Sequence, residues 1–155
     1  MYNRDKVFEY ARKWAMKRNP KYYNFDPVGG DCTNFASQCI FAGIGIMNYS
    51  KNNGWYYING DEKSPSWTGV EFLYNFLISN EGLGPHGRLM DITQLRIGDI
   101  VQLSFNGIKF SHTLVVVKNG NTIYDTLIAA HTFDAWMKSV AGYSFSKYRC
   151  IHIES

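Results

Sequence analysis

The chain has 155 residues, 45% of them apolar, 16% aromatic and 19% charged. That length admits one domain spanning residues 1–155 rather than two, with a packed core rather than a disordered chain. Sixteen Lys and Arg against 13 Asp and Glu leave a net charge of +3. The excess lies mostly near the two ends, too thin for the basic stripe of a nucleic-acid binder.

No transmembrane span is expected, because the longest uncharged stretch, Cys32 to Ser50, is broken by Thr33, Asn34, Ser37, Gln38 and two glycines. Met1 to Arg18 mixes charged and apolar positions and reads as no secretory leader. Location stays open. Three cysteines, Cys32, Cys39 and Cys150, form neither an even disulfide set nor a zinc pattern.

In chain order, the first helix is expected from about Arg4 to Lys17, where Val7, Tyr10, Ala11 and Trp14 recur at helical spacing. Gly29-Gly30 then turns the chain into Asp31, a good N-cap residue, and a second helix runs from Cys32 to about Ala42. Tyr49 to Pro65 reads as a long surface loop whose Tyr56 and Trp55, with Trp67 beyond it, are either a substrate wall or ordinary packing. A third helix opens at Thr68-Gly69-Val70-Glu71, read as a capping box, with Val70, Leu73, Tyr74 and Leu77 as its buried stripe.

From Gly98 the period changes to two. Asp99–Phe105, Ile108–Val117, Thr126–Ala130 and Tyr148–Ile153 read as strands of an antiparallel sheet, so the fold class is α+β.

Three residues carry the chemistry. Cys32, in the first turn of the second helix, meets unpaired amides and a dipole that favour a thiolate, the nucleophilic form. His112 stands at the entrance to the apolar run Leu114-Val115-Val116-Val117, where a base can face a cleft. His131 ends the next strand.

A tight Asn119-Gly120 hairpin sets His112 against Leu127, and a wider loop from Lys118 to Asp125 sets it against His131. Either register puts both imidazoles on one face of the sheet. Together they specify a mechanism. Cys32 attacks a carbonyl, His112 takes the thiol proton and returns it to the leaving amine, and His131 holds the other ring nitrogen of His112. Amides at the start of the Cys32 helix receive the oxyanion.

His131 and Asp134, grouped with Cys32 and His112, lack the close ligand pairs of a structural zinc site, so neither metal nor cofactor is expected. His86, His152, Cys39 and Cys150 read as structural.

Asp31-Cys32-Thr33-Asn34-Phe35-Ala36-Ser37-Gln38 resembles the DCxNFxSQ nucleophile motif of bacterial amidase domains related to the NlpC/P60 and CHAP peptidases. Leu95-Arg96-Ile97-Gly98-Asp99-Ile100-Val101 resembles the "GD-apolar" opening of their barrel. Ser111-His112-Thr113-Leu114-Val115-Val116 is similar to their catalytic-His strand, and Ala130-His131-Thr132 to the strand carrying the third polar group.

The resemblance implies a papain-like fold and a cysteine amidase or peptidase acting on peptide or amide substrates, typically from the cell wall. It places an oxyanion-hole side chain near Asp26 or Tyr23. A wall-peptide binding module without turnover and an acyltransferase are the alternatives on the same scaffold. Oligomeric state is left open.

Overall fold

In a computed structural model that describes residues 1–155, the Asn3 side chain accepts the Lys6 amide and opens α1 (Arg4–Trp14). Val7 and Ala11 bury its inner stripe, and the helix stops three residues short of the expected Lys17. α2 (Cys32–Ile44) is different in kind. Every side chain from Cys32 to Ile40 is buried, so this helix is the axis of the fold rather than an amphipathic cover. α1 lies so close that a Cβ on Gly43 would stand 2.5 Å from the Val7 side chain.

The stretch read as a surface loop is tied down by single bridges, Asn48 to Trp55 and Tyr57 to Lys63. Trp55 and Trp67 are fully buried, their indole N–H groups donating to Ser37 Oγ at 3.1 Å and Asn34 Oδ1 at 3.0 Å on α2. They are core, not a substrate wall.

The capping box does not form. Thr68 ends a short helix, α3 (Pro65–Thr68), and Gly69 opens α4 (Val70–Ser79) without a side-chain cap. Glu71 turns instead to Arg149, 2.8 Å away.

Six strands follow: β1 (His86–Met90), β2 (Ile100–Ser104), β3 (His112–Lys118), β4 (Leu127–Ala130), β5 (Ala135–Ser139) and β6 (Lys147–Glu154). They form one antiparallel sheet in the order β1-β6-β2-β3-β4-β5. The α+β class stands, with two edge strands, β1 and β5, beyond those expected.

Period-two alternation separates two cores. Ile100, Val115, Val117, Ala129 and Ile151 join the helices in one. Val101, Leu103, Leu114, Val116, Ile128 and Ala130 join a second on the opposite face, closed by Ile92, Leu95 and Val140. No helix is long and apolar enough to cross a membrane.

The Gly98-Asp99 pair is a joint. Gly98 has φ 93, a conformation that disfavours any side chain, and its carbonyl accepts the Tyr2 hydroxyl at 2.7 Å. Asp99, fully buried, takes Arg4, the Arg96 and Ile153 amides and His152, so α1 and β6 are fastened to the start of β2.

The register between β3 and β4 decides the site. Lys118 opposes Leu127, and a bulge then sets Val116 against Ile128 and Val115 against Ala129. The wide-loop register is off by one residue and the tight one by five, and a slip by an odd number of residues exchanges the faces of a strand. His131 falls on the face of Thr113 and Val115, under α2. His112 falls on the other.

Candidate active site

The residue before α2 anchors its start. Asp31 is fully buried and stands at the N-cap position, yet its side chain bonds no backbone amide of the helix. Oδ1 accepts the Phe25 amide and the Asn34 side-chain N–H, each at 2.8 Å, and Oδ2 accepts His131 Nδ1 at 2.5 Å. The Asp31 amide donates to Thr132 Oγ1 at 2.8 Å. Arg18 joins the edge of this knot, its Nε 3.6 Å from Asp31 Oδ2 while its other nitrogens pair with Asp26 and Asp134. One carboxylate thus joins the preceding loop, the helix and the end of β4.

His131 belongs to that knot and not to His112. Nε2 sits 2.8 Å from the Trp14 carbonyl oxygen, and the ring stacks on Phe35 with centroids 4.0 Å apart. The expected contact between His131 and His112 is absent, because the register slip carries the two rings to opposite faces of the sheet.

Cys32 begins α2 with 8% of its surface exposed. Its Sγ lies 3.7 Å from Thr33 Oγ1, and Thr33 Oγ1 meets Thr113 Oγ1 at 2.9 Å, tying the first turn of α2 to the start of β3. Burial pushes the thiol above its ordinary range, while the Thr113 amide and Thr33 pull against that shift and Asp31 adds to it. Desolvation thus works against the helix-start thiolate expected from sequence, outweighing the amides that favour it.

His112 opens β3, the residue before Thr113. Its ring lies between Phe105 and Tyr143, with centroid separations of 6.4 and 5.5 Å. No side chain or backbone group of the protein hydrogen-bonds either nitrogen. Burial, with help from the Lys138 charge, lowers its pKa to about 4, so it is a neutral imidazole at pH 7. At rest the site therefore carries a neutral imidazole and a thiol held above its ordinary range.

The two oxyanion-hole candidates resolve differently. Burial raises the Asp26 carboxyl, but hydrogen bonds from Arg18 and Thr132 outweigh it and hold the group low, as a carboxylate with no proton to donate. Tyr23 is half exposed, and its backbone is the part in use: its amide donates to Tyr57 and its carbonyl accepts Asn34.

Tyr143, which no motif marks, stands beside His112, ring centroids 5.5 Å apart. It follows the helical turn Val140–Gly142, and Lys138 Nζ lies 3.9 Å from its ring centroid. His86, His152, Cys39 and Cys150 are set in the framework: His86 meets the Asn80 carbonyl, His152 meets Asp99, and both thiols are buried.

Residues 1–153 match the sequence model of a family described as "Putative amidase domain". A protein of Bacillus subtilis (strain 168), YhbB, described as uncharacterized, is 35% identical over 142 residues, 88% of this chain. The match covers 43% of that relative, so the chain spans less than half of its length. No solved structure matches the chain.

Proposed function

The chain belongs to this amidase-domain family, and from that premise we propose that it is a cysteine amidase or peptidase working as a single papain-like domain. Cys32 is the nucleophile and His112 its base. The observation that carries the reading is the Thr33–Thr113 contact, which fastens the helix bearing Cys32 to the strand that His112 opens.

His112 takes the Sγ proton as sulfur adds to the amide carbon and the carbonyl electrons move onto oxygen. Collapse breaks the C–N bond, and the proton on His112 goes to the departing amine. A thioester remains, and water, deprotonated by the same imidazole, releases the acid and restores the thiol. His112 is oriented by the flanking rings of Phe105 and Tyr143 instead of a third polar residue. His131 acts at one remove, holding Asp31 and so the start of α2. The substrate class that the nucleophile motif and its neighbours imply is the amide bond of a cell-wall peptide.

Cys32→Ala tests the reading. Soluble peptidoglycan fragments are incubated with each protein and new amine and carboxyl ends are followed by mass spectrometry. The expected result is loss of cleavage with the circular-dichroism spectrum retained. Cleavage undiminished in Cys32→Ala refutes the mechanism. A second reading, a wall-peptide binding module, is favoured by the resting pair itself, since a thiol pushed up and an imidazole pushed down are also what an inert site shows. Binding of the fragments by the unaltered protein without cleavage would decide for it.

A further inference from the structure

The Tyr143 hydroxyl is buried and has no hydrogen-bond partner, and it is the one side-chain nitrogen or oxygen in the chain of which this is so. Buried polar groups are nearly always paired, and leaving one unpaired costs about 1–3 kcal/mol. A hydroxyl held this way calls for a partner that arrives from outside.

Its surroundings say where. The ring stands 5.5 Å from that of His112, and Lys138 Nζ lies over it at 3.9 Å. The backbone beneath it is fixed: Val140 N–H donates to the Thr126 carbonyl at 3.1 Å and Tyr143 N–H to the Val140 carbonyl at 3.2 Å. The Ser139 side chain, which caps the same turn, accepts the Ala141 amide and donates to the backbone of the preceding loop. Burial, and after it the negative charge Cys32 carries when ionised, push the phenol up to about 12, so it keeps its proton throughout the neutral range.

We propose that Tyr143 is the side-chain donor to the oxyanion formed when Cys32 adds to a carbonyl. The proposal rests on the reading of Cys32 as nucleophile. In the addition step the S–C bond forms, the C=O π pair becomes a lone pair on oxygen, and the thiol proton passes to His112. Tyr143 gives a hydrogen bond to that oxygen and keeps its own proton. On collapse the oxygen returns to a carbonyl and the bond weakens, so the contact is strongest where charge is greatest, as a catalytic donor requires. The nearby Lys138 ammonium, over the same ring, favours the same developing charge.

Two reagents separate this role from any other. p-Nitrophenyl acetate acylates a thiol through a tetrahedral oxyanion and is followed by p-nitrophenolate release. Iodoacetamide alkylates the same sulfur by direct displacement, with no oxyanion. Tyr143→Phe keeps the ring and removes only the hydroxyl. The expected result is acylation of Cys32 slowed by about 10²- to 10³-fold, with iodoacetamide labelling of Cys32 unchanged in rate and pH profile.

Acylation at the unaltered rate overturns the proposal. Equal slowing of both reactions also overturns it, placing Tyr143 on the thiol–imidazole pair instead. Cys32→Ala is run in parallel: if it still releases p-nitrophenolate at the full rate, the nucleophile assignment has failed. If Cys32→Ala is silent while Tyr143→Phe is fully active, the Tyr143 assignment alone has failed.

Discussion

His131→Ala distinguishes a structural anchor from a catalytic partner. The Asp31 and His131 side chains are each 1% exposed and meet at 2.5 Å. Removing the imidazole leaves Asp31 Oδ2 facing Arg18 at 3.6 Å, deprives the Trp14 carbonyl of its donor, and empties the space against Phe35. Breaking one side of a buried pair costs about 3–5 kcal/mol. For a chain of this length each kcal/mol lowers the melting temperature by about 2–4 °C, so the fall is about 6–20 °C.

Urea unfolding read by the fluorescence of the buried Trp55 and Trp67, together with thermal circular dichroism, measures it. Well below the new melting point, surviving turnover per folded molecule is expected to stay within tenfold of the unaltered protein. If melting is unmoved while turnover vanishes, His131 serves His112 directly, and the separation of the two rings described above is not the working geometry.

The lowered pKa of His112 makes stability depend on pH. Its unfolded value is about 6.5, so between that and about 4 the unfolded chain binds a proton that the folded one does not, and stability falls as pH drops through that window, by about 3 kcal/mol in all. Urea midpoints at pH 7 and pH 4 are expected to converge in His112→Phe, and an undiminished difference would remove His112 as the cause. Gly98→Ala forces a side chain onto φ 93, with its Cβ 3.3 Å from the Tyr2 phenol. A loss of about 1–3 kcal/mol is expected in urea unfolding, and a neutral result would show that the joint yields easily.

Much of the fold was legible because local signals and tertiary structure agree. Val7 and Ala11 on α1, and Leu73 and Leu77 on α4, keep helical spacing, and the apolar alternation after Gly98 marks the central strands. β1 and β5 were hidden by their place at the edges, where side chains are half exposed and no clean period survives. The turn before β5 hid itself further: Thr132 and Phe133 have φ 58 and 60, the conformation of a tight hairpin usually announced by Asn-Gly.

The capping box failed because Thr68 was already the last residue of another helix. For the candidate site, Cys32 and His112 came from motif and position. The place of His131 turned on a bulge at Val116–Lys118, and nothing in that sequence marks where a strand gains a residue. Tyr143 was one of eleven tyrosines, in no pattern.

The burial of α2 on every side has a consequence for how the molecule fails. Segments that open most readily are those with few apolar contacts, while a helix enclosed by the core opens only when the whole structure does. Cys32 is the first residue of that helix, so the proposed nucleophile belongs to the part of the protein expected to yield last. Warming should not melt the site ahead of the rest, and residual turnover would count intact molecules.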